Sequence, residues 1–157
     1  MKKLYIKQKV FAFLDKFNIY NEDQEVEYIV EGDFTLLKRL TCMTPDREKV
    51  FQLNGKWAFL PTYEISRNGE PFMMIKKDFT FFKPSYTIEG ADWHVEGSFL
   101  GYQYNIVDSK GGLVASIDKA FLSWGDFYEL CITEEENTWP ALAVVLAIDA
   151  ATQSKNS

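Results

Sequence analysis

The run Trp139-Pro-Ala-Leu-Ala-Val-Val-Leu-Ala-Ile-Asp-Ala-Ala151 constrains the fold of this chain more than any other stretch. It is apolar on every side, with Asp149 its single charge. A helix with no polar face must be buried all round. Pro140 suits the first helical turn, where its missing N–H costs nothing. The pre-proline Trp139 is pushed out of the α region and marks the entry. Glu134, Glu135 and Glu136 supply the charge that favours a helix N-terminus. Pro140 to Thr152 spans about 20 Å at 1.5 Å per residue, and the run is shorter than the roughly 20 apolar residues that cross a bilayer. The expectation is a core helix over residues 139–152 that the rest of the chain wraps.

That remainder reads as strands. Phe17 and Ile19 alternate with Lys16 and Asn18, and Val26, Tyr28 and Val30 oppose Glu27 and Glu31. This is period-2 patterning with one face buried. Gly32 beside Asp33 predicts a bulge or sharp bend. Further strands are predicted at 39–43, 49–53, 56–60, 72–77, 79–82, 85–89, 93–96, 103–108, 113–119 and 126–133. Asn54-Gly55 is predicted as a hairpin turn between two of them. Thirteen Phe, 8 Tyr and 4 Trp in 157 residues support the β reading.

Within this rhythm lies an internal repeat. Ile6, Ile75 and Ile117 are each followed eleven positions later by an aromatic (Phe17, Tyr86, Tyr128) and thirteen later by an aliphatic (Ile19, Ile88, Leu130). Phe79 and Phe121 stand four after their lead residues. Val30-Glu-Gly-Asp-Phe34 and Val95-Glu-Gly-Ser-Phe99 are near-identical, with Gly32 and Gly97 in matching places. A degenerate copy fits Gln52 with Tyr63 and Ile65, and the Val95 copy has its later match two residues early, at Tyr104 and Ile106. Lead positions 6, 30, 52, 75, 95 and 117 define six units with room for two strands each. About twelve strands that close on themselves lose both edges. Such a barrel is wider than the eight-stranded kind whose side chains fill it unaided, so the apolar helix is expected to thread the lumen. An open sandwich with the helix on one face is the alternative.

Ile6-Lys-x-Lys, the paired Val-Glu-Gly-x-Phe motifs, Ile117-x-Lys-x-Phe121 with Trp124-Gly-Asp-x-Tyr128, and the closing Ala-Val-Val-Leu-Ala-Ile-Asp149 together resemble the LURP-one-related family. That family belongs to the tubby C-terminal-like superfamily, with the phospholipid scramblases. The resemblance covers nearly the whole chain and implies a mainly β fold, a closed barrel of about twelve antiparallel strands around a buried C-terminal helix. One domain over 1–157 is expected, with the barrel at 3–133. Tubby proteins bind phosphoinositides through a basic surface pocket, whose residues find no match here. Scramblases add a cysteine-rich segment and a terminal membrane helix, which this sequence lacks, so calcium-dependent scrambling is not carried over.

Twenty-three acidic against 17 basic residues give a net charge of −6. Such a chain is a poor generic binder of nucleic acid. The best local basic candidate is the N-terminus, with Lys2, Lys3, Lys7 and Lys9; the plain alternative is a strand edge kept soluble by lysine. His94 is the single histidine. On a strand it shares a face with Ser98, but four residues are roughly 13 Å, too far for nucleophile and base to touch. One His with the distant Cys42 and Cys131 makes no zinc site, and Lys110-Gly-Gly112 reads as a turn and not a phosphate cradle. No catalytic residue, metal or cofactor is therefore expected, and the cysteines are expected reduced in a cytoplasmic monomer without a signal peptide or transmembrane segment. Asp149 is read as a structural acid bonded to backbone N–H groups or a lysine at the barrel mouth, against a ligand contact there. Lys77 and Lys119 share parity with inward residues, so either they turn outward or they meet an acid. Trp57, Trp93 and Trp124 are candidates for an exposed partner patch, against the favoured alternative that they are a barrel's ordinary packing. The reading is a non-enzymatic binding or scaffold domain that recognises a phospholipid headgroup or a protein at a membrane surface. A cytosolic enzyme of unrecognised type and a carrier of a small hydrophobic ligand are the alternatives.

Overall fold

The structure, a computed structural model, describes residues 1–8, 16–33 and 37–153. Twelve strands precede one helix: β1 (Lys2–Lys7), β2 (Lys16–Tyr20), β3 (Val26–Asp33), β4 (Arg39–Met43), β5 (Lys49–Gly55), β6 (Thr62–Arg67), β7 (Glu70–Lys77), β8 (Tyr86–Glu89), β9 (Trp93–Ser98), β10 (Gln103–Asp108), β11 (Leu113–Leu122) and β12 (Gly125–Ile132), then α1 (Thr138–Gln153). Chain neighbours other than β8 and β9 pair antiparallel, and β1 pairs with β12 to bend the sheet into a barrel. The order begins at β8 and ends at β9, which share no ladder. Odd strands run toward one end of the barrel and even strands return. α1 follows β12 and enters at the second end, here the entry end, and finishes at the first, the exit end.

The repeat maps onto this order. Lead residues 6, 30, 52, 75, 95 and 117 fall one on each odd strand, and the later aromatic and aliphatic pairs fall on the even strands. Ile6, Val30, Ile75 and Ile117 are buried and face the helix; Gln52 is out of phase, because Phe51 and Leu53 are the inward pair on β5. α1 is the axis of the core: every residue from Ala141 to Ala151 is buried. This is the all-round burial that an apolar helix requires.

Five local expectations are corrected. β5 runs through Asn54-Gly55, since Gly55 N–H donates to Lys38 O at 2.8 Å and Asn54 sits opposite Glu64. Residues 56–60 and 79–82 form no strands but lie in the loops between β5 and β6 and between β7 and β8. The bend expected at Gly32 is not there, for Gly32 pairs with Leu40 in an unbroken ladder. Trp139 lies inside α1, not outside it: the 3-10 turn Glu135–Asn137 feeds straight into the helix. The Trp139 ring stacks on Phe51 with centroids 5.9 Å apart and meets Phe72 at a tilt at 4.8 Å, contacts that hold it in the helix against the pre-proline preference. β1 is not an edge, being bonded to β2 and β12 on its two sides.

Candidate functional site

Asp149 stands in the last helical turn but one and is 3% exposed. An acid near a helix C-terminus meets the negative end of the helix dipole, so its charge needs partners. Tyr102 O–H donates to Asp149 Oδ1 in a short bond, and the Lys38 ammonium lies close enough for the two charges to act on one another. Burial holds the Lys38 ammonium below its usual range, and Asp149 opposes that shift. Around the pair stands a ring of tyrosines from the even strands: Tyr63 of β6, Tyr86 of β8, Tyr104 of β10 and Tyr128 of β12. Each phenol is pushed up, first by burial and then by the Asp149 charge. These are the aromatic positions of the repeat, so one periodic feature builds a ring of hydroxyls around one carboxylate. Thr152 O–H donates to Ile148 O at 2.8 Å. Its single proton is then used, and Tyr86 O–H donates to Thr152 Oγ1 at 2.8 Å. Tyr102 stacks on Tyr128 with centroids 4.2 Å apart.

This arrangement predicts a graded response. Asp149→Ala leaves the half-buried Lys38 without its acid, a loss of up to about 3–5 kcal/mol by analogy with broken buried pairs. For a domain of this size that lowers Tm by roughly 6–20 °C. Asp149→Asn also removes the charge but keeps an acceptor for Tyr102, and is expected to lose less by about the worth of that hydrogen bond, roughly 1 kcal/mol. Calorimetry on both variants checks this; equal melting of the two would show that the lost charge, and not the acceptor for Tyr102, sets the cost.

The rim above this ring is aromatic. The β5–β6 loop exposes Trp57 and Phe59, and the β7–β8 loop exposes Phe79, Phe81 and Phe82. Phe59 and Phe82 are 93% and 98% exposed. The loops are neighbours, since Lys77 N–H donates to Pro61 O at 3.0 Å, and Phe79 meets Phe81 edge-on at 5.2 Å. Leu100 and Phe121 are exposed at the same end. Five such rings present on the order of 800 Å², above the few hundred of a typical largest patch. Basic side chains are interleaved with them. Lys56 and Lys83 lie in the two loops, and Lys7, Lys16, Arg39 and Lys119 are exposed on strand ends facing the same way. Acids gather at the entry end: Glu22, Asp23 and Glu25 in one turn, Asp46 and Glu48 in the next, and Glu134 to Glu136 before α1. The barrel is thus polarised, with the rings on its basic side.

The N-terminal lysines are not brought together. Lys2 is salt-bridged to Glu27 and Lys3 lies beside it at the entry end, whereas Lys7 reaches the exit rim five residues away, about 17 Å along the strand. Lys9 lies outside the described residues. Pro140 occupies the first turn of α1. Gly97 has φ +129°, and a Cβ there would fall 2.5 Å from Gln103 O. His94 is exposed on β9 and its Nε2 lies 2.9 Å from Glu96 Oε1. Both cysteines are free thiols, and burial pushes Cys42 up and Cys131 to about 11. Among the described residues no group of His, Cys, Asp and Glu could hold a metal ion. Lys119 turns outward; Lys77 is half-buried at the rim. Trp57 is exposed, Trp93 faces inward, and Trp124 packs on Phe127, Tyr5 and Tyr20. A shallow cleft of about 210 Å³ flanked by Lys49, Gln52, Ser66 and Asn68 is smaller than the roughly 300–1,000 Å³ of small-molecule sites.

Phe59, Phe81 and Phe82 were not legible as a site. Trp57 with Phe59 and Phe79 with Phe81 alternate as a half-buried strand would, and the one available signal was the flanking Pro61 and Pro84, which disfavour a central strand.

The family profile described as LURP-one-related matches residues 2–149. The Uncharacterized protein YxjI of Bacillus subtilis (strain 168) is 34% identical over 151 residues, 95% of this chain and 93% of that protein. An X-ray structure of a protein from Arabidopsis thaliana aligns with a TM-score of 0.66 at 16% identity, covering 95% of this chain and 90% of that one. At that identity the likeness carries the fold alone.

Proposed function

The chain belongs to the LURP-one-related family, and from that premise we propose that it is a binding domain that docks its exit rim on an anionic membrane surface. The observation that carries this reading is the concentration of exposed rings and lysines at one end of a barrel whose other end is acidic. Aromatic side chains settle at the headgroup level of a bilayer, and each lysine near an anionic leaflet adds about 1 kcal/mol. Asp33, Asp118 and Asp126 are also exposed at the exit end, but the lysines and arginine there outnumber them and the acidic turns lie on the far side. No described helix is long and apolar enough to cross a membrane, which fits attachment to a surface by a rim and says nothing of strands. The carrier reading is disfavoured because α1 fills the lumen.

Vesicle co-sedimentation tests the proposal. The protein should sediment with phosphatidylserine vesicles more than with phosphatidylcholine vesicles, and less as salt rises. Phe82→Ala should lower partitioning about tenfold, as loss of one inserted ring requires. Lys83→Glu should weaken binding to anionic vesicles alone, and Lys2→Glu at the entry end should leave it unchanged. Equal losses from Lys2→Glu and Lys83→Glu would contradict docking by the rim, and no sedimentation with any vesicle would remove the reading.

A further inference from the structure

β8 and β9 are joined by three residues, Gly90 to Asp92, yet they form no ladder. Short connections elsewhere in the barrel, between β6 and β7 and between β11 and β12, lead into ladders that run along both strands. Two glycines explain the difference. Gly90 has φ +98° and lies so close to β7 that a Cβ would fall 2.5 Å from Phe72 O. Gly97, at φ +129°, lies as close to β10. Each side of the seam is therefore drawn toward its own neighbour and away from the other.

The seam is held by the helix instead. Tyr86 fastens β8 to Thr152, and Tyr102, just after β9, fastens the other side to Asp149. Phe99 fills the interior at the exit end, 4.9 Å from Tyr86 and 5.1 Å from Tyr104. Above it the core is less covered. The ladder to β10 places Gly97, Val95 and Trp93 opposite Tyr104, Ile106 and Asp108, so Val95 and Trp93 face inward. Tyr104 and Ile106 are fully enclosed, but Val95 and Trp93 are only half-buried. No residue of β9 is buried.

Natural sheets blunt their edges with lysine, proline or inward charges. β8 and β9 have no lysine and no proline, and their inward residues carry no charge. The outward side chains beside the seam include one acid on each bank, Glu89 on β8, which also meets Lys76 of β7 at 2.9 Å, and Glu96 on β9, which lies 2.9 Å from His94 Nε2. We infer that the β8–β9 seam is an acceptor for an extended peptide whose residues alternate apolar and basic. Its backbone would complete the ladder on β9, its apolar side chains would cover Val95 and Trp93, and its cations would meet Glu89 and Glu96. Strand addition of this kind takes affinity from main-chain hydrogen bonds and selectivity from alternate side chains.

The test uses the full chain and a synthetic peptide of about eight residues, a usual strand length, alternating valine and lysine. Amide hydrogen exchange is read with and without it, in the absence of lipid, so the outcome is independent of the vesicle experiment. The peptide should slow exchange in β8 and β9 and nowhere else to the same degree. Glu96→Lys, an exposed change, should weaken peptide binding about three- to tenfold, as reversal of a cross-strand charge pair requires. Val95→Lys should abolish it by placing a charge on the inner face. Three results would overturn the inference: no slowing in β8 or β9; equal slowing by a valine–glutamate peptide; or protection of β9 that grows with protein concentration without peptide, which would assign the edge to a second copy of the chain.

Discussion

A chain that ends at Thr138 is expected to lose cooperative unfolding altogether. The barrel is too wide for its own side chains to fill, and α1 supplies the fill: Leu142, Val144, Val145, Leu146 and Ile148 are all enclosed. Each such side chain is worth about 1.5–3 kcal/mol on burial. Five of them represent on the order of 10 kcal/mol, comparable with the whole stability of roughly 5–15 kcal/mol of an ordinary domain. Their partners on the strands, among them Leu4, Ile19 and Leu53, would lose their cover as well. The truncated chain should bind a dye that reports exposed apolar surface, show a broad thermal transition and self-associate. A single substitution gives the same result by degrees. Leu146→Ala should cost about 2–5 kcal/mol, and Leu142→Asp should leave little folded chain. A soluble truncated chain with a sharp melting transition would mean that the strands close without the helix.

The part of the fold that was legible in the sequence is the part set by local rules. An apolar helix and a repeat of one lead residue per odd strand constrain strand number, strand order and the occupant of the lumen, because none of these needs side-chain detail. The readings that failed did so where two arrangements share one pattern. Trp57 and Phe59 alternate as a strand would, and so do Phe79 and Phe81; only the Gly55-to-Lys38 bond and the course of β5 show that the first pair lies in a loop. The tyrosines at repeat positions were visible as a series, but their convergence on Asp149 was not. It depends on the closure of the sheet, which brings β6, β8, β10 and β12 around one helical turn. The N-terminal lysines looked contiguous on paper, and strand geometry divides them between the two ends. The seam was invisible for a similar reason, since a three-residue connection normally predicts a hairpin.

The protein should unfold steeply in alkali. Burial pushes Tyr104 well above its ordinary range and does the same to the thiol of Cys42. Tyr28 is raised to about 12, first by burial and then by the neighbouring thiol, and Tyr5, Tyr63, Tyr86 and Tyr128 move the same way. In each case the folded state keeps a proton that the unfolded chain gives up near its ordinary pKa. A raised folded pKa therefore supports stability below the unfolded value and withdraws it as pH rises: the loss begins near pH 9 for the thiol and near pH 10 for the phenols. Each enclosed group that keeps its proton past its ordinary pKa steepens the fall by up to about 1.4 kcal/mol per pH unit, and Tyr104 and Cys42 are the most enclosed of them. The half-buried Tyr28 and Tyr128 add less, because solvent screens them. The urea midpoint should hold steady to about pH 9 and then fall, with the Tyr104 phenol ionising together with loss of structure and not ahead of it. Tyr104→Phe should flatten the fall by about one proton, as one titrating group fewer requires. Independent titration of all phenols near pH 10 in a chain that stays folded would show that the ring around Asp149 is open to water.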